Sequence, residues 1–487
     1  MKCILAIVAG AILPLSLAPF NFWPLGLLSI GVWFWLLSKP EVNAPLIGWL
    51  FGIGKFGVGV SWVYVSINVY GNAGVILAAV LVFLFISGLS LLTMVNAFCY
   101  RVLRSEFFYI NAITFSALFV LFEWIFTWFL TGFPWLYPAY GHIDTWLAGY
   151  APIGGVLLIS FGLCLSACFG AVGLSNKNRK SALMISMLPW VLGAGLKELE
   201  WVESIETETF ALVQGNIDQA TKWLPENRDL IASRYHDLSV KHLDADTIIW
   251  PEAAITYFRG EATRFLDEMD KMAREAGTSV VLGIPTLETI HGGDGEVFRN
   301  TAIAIGSGSG TYVKRRLVPF GEYVPMQYFV RGLIDFFDLP MSHSEPGAHN
   351  QPTLRLGKSD AAIAICYEVV YPELVRKQAS SADLLITISN DSWFGESIGP
   401  FQHLEIARMR ALENGRWILR ATNSGITAAA DHQGSIRYIL PQSEVSVLRG
   451  SYDLMKGDTP YNKLGESLIL VLLALAILPS AWLRFIR

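Results

Sequence analysis

The sequence predicts two kinds of structure in one chain: a polytopic α-helical membrane domain of about eight spans and a water-facing α/β domain with a mixed sheet. Three observations predict it. Only 16% of the residues are charged and 53% are hydrophobic, whereas soluble domains carry roughly 25% charged residues. The deficit is confined to residues 1–200 and 466–483, while 200–460 has ordinary globular composition. From Phe210 onward, strand-like runs alternate with helical patterns, the mark of an α/β domain. At 487 residues the chain is too long for a single compact domain. We therefore expect a membrane domain over 1–198, a catalytic-size globular domain over 205–460 and a last transmembrane helix within 464–487.

The apolar runs are 3–20, 22–38, 45–66, 73–98, 109–130, 150–175, 181–196 and 466–483. Each is near the roughly 20 residues a spanning helix needs. The first has the outline of a signal peptide, but Leu17-Ala18-Pro19 is a poor cleavage site and further runs follow at once. Residues 19–23 suit a short hairpin between the first two runs. The run 181–196 is short and contains Pro189. Lys2, Lys39, Arg101, Arg104, Lys177, Arg179, Lys180, Arg484 and Arg487 all fall on one side, and the loops 67–72 and 131–149 carry no Lys or Arg. The positive-inside rule then places both termini in the cytoplasm. Seven crossings put the globular domain outside, on the periplasmic face of an inner membrane where the cell has two. Lys55 and Glu123 fall inside spans, where charge is expensive and often functional; snorkelling or mutual pairing is the plainer account. The aromatic, proline-rich loop 131–149 suits the membrane interface.

Net charge is −5 with no basic cluster, which argues against a nucleic-acid partner. The eight histidines are scattered, so no metal-ligand spacing is present and no cofactor is expected. Four of the five cysteines, Cys3, Cys99, Cys164 and Cys168, lie in or beside apolar runs, where cysteine acts as a small hydrophobe. Cys366 alone lies in the globular part, inert if buried or kept for chemistry.

In the globular part, 210–216 reads as a strand ending at Gly215, 226–244 as a helix and 247–250 as a strand ending in Pro251-Glu252. Helix 260–276 stops at Gly277. Strand 280–284 follows, then a hairpin of 301–305 and 311–314 around the Gly-Ser-Gly-Ser-Gly turn. Strand 361–365 runs into Cys366. Strand 384–388, helix 400–414 closing on Gly415, strand 417–422 and hairpin pieces near Ala428 and Ile436 complete the domain. Glu252, Lys314 and Cys366 each sit at a strand end, where α/β sheets gather their reactive groups. A carboxylate, an ammonium and a thiol make an acyl-transfer kit: Glu252 takes the thiol proton, Cys366 attacks a carbonyl, and Lys314 stabilises the oxyanion. Each also has an ordinary structural reading: an inert core thiol, a helix cap and a solvated basic edge.

Trp250-Pro251-Glu252-Ala253-Ala254, the block from Lys314 to Pro325 (KRRLVPFGEYVP), and Cys366-Tyr367-Glu368 resemble the three signature blocks of the nitrilase superfamily. With spans on either side, the chain resembles the apolipoprotein N-acyltransferase family over essentially its full length. The resemblance implies an αββα sandwich with Glu252 as base, Lys314 at the oxyanion and Cys366 as nucleophile. It implies supporting roles for Glu322, Tyr367 and Glu368, and functional tryptophans at Trp223 and Trp393, whose plainer reading is packing. It further implies a phospholipid acyl donor, the sn-1 chain of phosphatidylethanolamine. The implied acceptor is the α-amino group of the S-diacylglyceryl cysteine of a diacylated apolipoprotein, and the enzyme acts as a monomer. Residues 323–341, with Phe336 and Phe337, are too polar to span and too apolar for a solvated loop. They read as an arm on the outer leaflet or over the site, or as a buried insertion. Two other functions stay open: a membrane-tethered hydrolase of small amides or nitriles, and a non-catalytic transporter or sensor.

Overall fold

The computed structural model describes residues 1–175, 179–289, 296–325 and 343–486. The chain divides into two compact units, one formed by 1–64, 75–200 and 463–487, the other by 65–74 and 201–462.

The first unit is helical. Its helices Val75–Leu103, Phe108–Ile125 and Ser467–Phe485, and the stretch Trp146–Gly173, are long and apolar enough to cross a membrane. The bent pair Ala44–Gly59 and Trp62–Tyr70 makes a fifth if it is one span. The apolar runs 3–20 and 22–38 form shorter helices, Lys2–Ser16 and Pro24–Leu37, and the run with Pro189 forms Arg179–Lys197. Helix Ala44–Gly59 meets its neighbours through glycines. A Cβ on Gly54 would lie 2.1 Å from the Ile7 carbonyl oxygen, and one on Gly48 would lie 2.5 Å from that of Thr93. Small residues at such crossings let helix backbones touch where lipid removes the hydrophobic drive between helices. Thr93 Oγ1 uses the proximity, donating to the Gly48 carbonyl at 2.9 Å. Lys55 and Glu123 are both buried within this unit.

The second unit is built on two sheets. Its strands are β1 (Glu203–Gln214), β2 (Thr247–Ile249), β3 (Ser279–Thr289), β4 (Glu296–Gly306), β5 (Gly308–Ser309), β6 (Thr311–Val313), β7 (Leu354–Leu356), β8 (Ser359–Ile365), β9 (Leu384–Ser389), β10 (Ile418–Thr422), β11 (Ala428–Ala430), β12 (Ile436–Ile439) and β13 (Ser446–Lys456). One sheet has the order β13-β1-β2-β3-β4-β6 and the other β12-β11-β10-β9-β8-β7-β5. In each, a parallel centre carries antiparallel edges: β1, β2 and β3 in the first, β8, β9 and β10 in the second.

Alternation along the strands makes the layers. Phe210, Leu212, Ile249 and Val281 face Ile363, Ile365, Ile386, Ile388 and Leu419 in one core between the sheets. Their neighbours Ala211, Val213, Ile248, Val280 and Leu282 pack with Ile231, Tyr235, Leu266 and Met269 of helices Arg228–Ser239 and Thr263–Ala276. A period-2 strand buried on both faces reads as a continuous apolar run, as these do. On the second sheet, helix Pro372–Ala379 packs against β8 and helix Gly399–Asn414 against β10. Gly277 (φ +82°) and Gly415 (φ +61°) end their helices in the left-handed conformation, the usual glycine stop.

The 306–310 stretch is more than a hairpin turn. β4 and β6 do pair antiparallel, but between them Gly308-Ser309 crosses to the other sheet and pairs with β7. The closing strand β13, paired along the whole of β1, has no counterpart in the sequence reading.

One glycine sets the position of the first catalytic candidate. A Cβ on Gly283 of β3 would lie 2.5–2.7 Å from Ala253 N, the Pro251 oxygen and Glu252 Cα. All three are backbone atoms, so the Glu252 loop would have to move. Gly283→Ala should therefore cut turnover by about 10²-fold, the penalty of a misplacement near 1 Å, while far-UV circular dichroism stays native; an unimpaired variant would refute this placement.

Candidate active site

The parallel strands end together, and so do the residues that follow them. Cys366 is the first residue after β8 and opens the turn Cys366–Val370. Its φ is +55°, a left-handed conformation that a non-glycine residue adopts only under constraint from its surroundings. Glu252 follows β2 by three residues and Lys314 follows β6 directly.

Glu252 and Lys314 meet in a buried network. Lys314 Nζ donates to Glu252 Oε1 at 3.0 Å and to Glu322 Oε1 at 2.8 Å. Asn300 Nδ2, on β4, donates to the same two oxygens at 2.7 and 3.2 Å. Glu252 Oε2 accepts from Asn390 N at 2.9 Å, and Glu322 Oε2 from Val318 N at 2.8 Å. Burial pushes the Glu252 carboxyl up, but Lys314, Asn300 and the Asn390 amide outweigh it and hold it below its ordinary range. Burial likewise opposes the Lys314 charge, yet Glu252, Glu322 and the nearby Cys366 hold it well above its ordinary value. An ammonium has three donors, and Glu252 and Glu322 take two of them.

The thiol is the opposite case. Burial, then the Glu252 charge, push Cys366 well up, and Lys314 only partly offsets them. Resting Cys366 is a thiol beside a carboxylate that has kept its charge, so proton transfer must accompany attack.

Glu368 is a stitch. Fully buried, it accepts through Oε2 from Ile365 N at 2.8 Å, and through Oε1 from Arg315 N at 2.7 Å, Arg316 N at 3.1 Å and Tyr312 Oη at 3.0 Å. It thus fastens the end of β8 to the segment that carries Lys314. Tyr367 is buried edge-on to Tyr371, with ring centroids 5.4 Å apart. Trp393 lies edge-on to Tyr70 at 5.8 Å, and its carbonyl accepts from Ser66 Oγ at 2.8 Å. Trp223 is half-buried and follows the fully buried Lys222, whose Nζ donates to the Glu252 carbonyl at 3.4 Å. Burial lowers Lys222 to about 8, with Glu252 pulling it back up. Phe336 and Phe337 lie outside the described residues.

Several site residues were missing from the sequence reading. Asn300 bridges both glutamates. Asp391, His403 and Arg420 form a fully buried cluster behind the nucleophile. His403 Nε2 lies 3.2 Å from the Cys366 carbonyl oxygen, its Nδ1 lies 3.0 Å from Asp391 Oδ1, and Arg420 donates to Asp391 Oδ2 at 2.5 Å. A carbonyl can only accept, so Nε2 carries the proton and donates to Cys366 O. That bond holds the left-handed residue from the carbonyl side. The one signal in the sequence was Asn300 itself, an amide directly before the apolar run 301–305; His403 sits in a helix buried on all faces and gave none.

Residues 9–169 match the family model described as the apolipoprotein N-acyltransferase N-terminal domain, and residues 209–455 match carbon-nitrogen hydrolase. The apolipoprotein N-acyltransferase of Pseudomonas syringae pv. tomato is 43% identical over 94% of this chain and 92% of its own. That of Vibrio cholerae is 39% identical over 99% and 97%. Among solved structures, Saccharomyces cerevisiae Nit3, a member of branch 10 of the nitrilase superfamily, matches with TM-score 0.38 at 17% identity, covering 51% of this chain and 91% of that one.

Two outcomes follow from this geometry. Glu252→Gln removes the negative charge that disfavours thiolate, so the pH at which iodoacetamide alkylates Cys366 should move down, even as turnover falls by about 10²–10⁴-fold for want of the base; an upward move would contradict the electrostatics. His403→Leu should lower kcat by about 10²-fold with little change in KM, and His403→Gln, which keeps a side-chain N–H, should recover most of it; equal losses in both would sink the carbonyl clamp.

Proposed function

The chain belongs to the apolipoprotein N-acyltransferase family, and from that premise we propose that Cys366 carries a fatty acyl chain from a phospholipid to the N-terminal α-amino group of a diacylated apolipoprotein. The observation that supports the reading is the buried Lys314–Glu252 pair, whose charges both act on Cys366, with one ammonium donor left over.

In the first half-reaction Glu252 takes the Cys366 proton as the sulfur attacks the ester carbonyl of the donor. The developing oxyanion accepts from the remaining N–H of Lys314, an interaction typically worth about 10²–10³ in rate. As the tetrahedral intermediate collapses, the ester C–O bond breaks and the protonated Glu252 returns its proton to the leaving alkoxide. A lysophospholipid departs and a thioester remains. In the second half-reaction the free α-amine attacks the thioester carbonyl and Glu252 takes the amine proton. The C–S bond then breaks, the sulfur regains the proton and an amide is released. Glu322 holds Lys314 together with Glu252, which keeps the ammonium charged through both halves. Glu368 and His403 hold the nucleophile in place, while Tyr367 packs beside it.

The donor is phosphatidylethanolamine, read at its sn-1 chain, and both lipid substrates reach the site from the bilayer. About eight spans, cytoplasmic termini and a periplasmic catalytic domain in an inner membrane are the topology we propose, on the distribution of Lys and Arg. A single chain carries the whole triad, so a monomer suffices. Trp223, next to the Lys222 that reaches the Glu252 carbonyl, and Trp393, beside Tyr70, are the tryptophans to which the family resemblance gives a functional role, and on composition alone Phe336 and Phe337 are the candidates for contact with the acyl chain.

Intact mass spectrometry tests the reading. Wild-type protein incubated with phosphatidylethanolamine should gain one acyl mass that hydroxylamine removes, and Cys366→Ala should gain none. An adduct of equal yield on both proteins would overturn the assignment of the nucleophile.

A further inference from the structure

Beside the triad the second unit holds a cavity of about 340 Å³, inside the range of roughly 300–1,000 Å³ typical of small-molecule sites. None of the groups assigned above to the acyl chain or the oxyanion lines it. Asp218, Gln219, Asp391, Ser392, Glu396 and Gln442 do.

Two short chains of hydrogen bonds tie its wall to the reacting groups. Gln219 Oε1 accepts from Asn390 Nδ2 at 2.7 Å, and Asn390 N donates to Glu252 Oε2. Arg420 Nη2 joins Asp391 to His403 Nδ1, and His403 holds the Cys366 carbonyl. The rim is itself fixed: Asn216 Nδ2 donates to the Ser443 carbonyl at 2.8 Å, and Ser443 N to the Ser424 carbonyl at 3.0 Å.

The lining has a definite chemical character. Arg420 and Ser389 donate to Asp391 and satisfy it. Among the described residues, Asp218 and Glu396 are exposed carboxylates with no ion pair to a cation, and no lysine, arginine or histidine lines the cavity. A phosphate, which every phospholipid headgroup carries, would meet only like charge there. Gln442 Nε2 is a buried donor without a hydrogen-bond partner, and such a donor is expensive unless something accepts from it. Main-chain carbonyls would serve, and the hydroxyl and amide groups of Ser392 and Gln219 complete a lining suited to peptide groups.

Resting on the two-step reading above, we propose that this cavity is the acceptor subsite. It takes the polar stretch of peptide that follows the modified N-terminal residue, favours cationic over acidic side chains there, and takes no part in binding the phospholipid.

The test uses full-length enzyme in phosphatidylethanolamine vesicles with two synthetic S-diacylglyceryl-cysteinyl peptides, one with lysines at the second and third residues and one with glutamates. Wild type should acylate the lysine peptide about tenfold faster, the effect of roughly 1.4 kcal/mol from two carboxylates at a partly exposed site. Asp218→Asn/Glu396→Gln should erase that preference while thioester formation from the vesicle lipid stays within about twofold, since each half-reaction reports only its own binding. No charge preference in wild type, or a preference that survives in the variant, would overturn the assignment. So would an equal loss of thioester formation, which would give the cavity to the headgroup ammonium. Because the preference is read on the amide product, it decides the cavity by itself; absence of a thioester would tell against the two-step reading alone.

Discussion

A buried ammonium held by a buried and a partly buried carboxylate is the constraint from which the rest of the site follows. Removing these charges from water costs several kcal/mol per ion, and the fold recovers this only through good geometry and complete hydrogen bonding. Every oxygen of Glu252 and Glu322 has a donor, and those donors come from β4, from the loop after β6 and from the loop after β9. The network therefore fixes the relative positions of strand ends drawn from both sheets. Glu368 does the same from the other direction, joining β8 to the Lys314 segment with four bonds to one carboxylate. The two arrangements together leave the nucleophile little freedom, which is how a left-handed cysteine can be sustained.

The electrostatics explain why the resting enzyme keeps its thiol protonated. A thiolate next to Glu252 would put two negative charges in one buried place, and Lys314 is already shared between two carboxylates. The charge on sulfur becomes tolerable only once Glu252 has taken the proton and is neutral. A carbonyl must be at hand to receive the electrons, since a free thiolate gains nothing in the interim. Such a site resists adventitious alkylation and oxidation, for which thiolate is the reactive form, although it faces an oxidising compartment in the topology proposed.

Much of the fold was legible because strands buried on both faces announce themselves as short apolar runs, and because Gly277 and Gly415 end helices where the sequence says they should. β13 was not legible: Ser446–Lys456 breaks its apolar residues with Arg449, Gly450, Ser451 and Asp453 and lacks the β-branched density of the centre, and only its pairing along β1 makes it a strand. The Gly308-Ser309 crossing was hidden because glycine permits both a turn and a second-sheet edge. In the site, Glu252, Lys314, Cys366 and Glu322 could be read from their blocks. Asn300, Asp391, His403 and Arg420 could not, because their importance lies in contacts across 12 to 48 residues that no local pattern encodes. The membrane part is legible in kind rather than in number: among the described residues the eight apolar runs yield four spans long and apolar enough to cross, five with the bent pair, two shorter helices and the 19-residue Arg179–Lys197 with its internal proline.

The catalytic kit alone does not explain acyl transfer. Carbon-nitrogen hydrolases, whose model this domain matches, by their name deliver their acyl groups to water, and chemistry of that generality is set by a site's surroundings rather than by its fold. Glu252 is as able to deprotonate water as an amine. What must differ is the residence of the acceptor: an amine held beside the thioester outcompetes solvent through effective concentration, which for well-oriented groups can reach about 10⁵ M or more. Holding it calls for a surface that recognises the peptide rather than the lipid, built close to Glu252 but not from the groups that bind the oxyanion. The lining shared by Gln219, Asp391 and Ser392 meets that requirement, because the same residues that bound the cavity also orient the base and the nucleophile. An acceptor seated there would bear directly on the groups it is about to use, which gives one piece of wall both the selection of the amine and the timing of its attack.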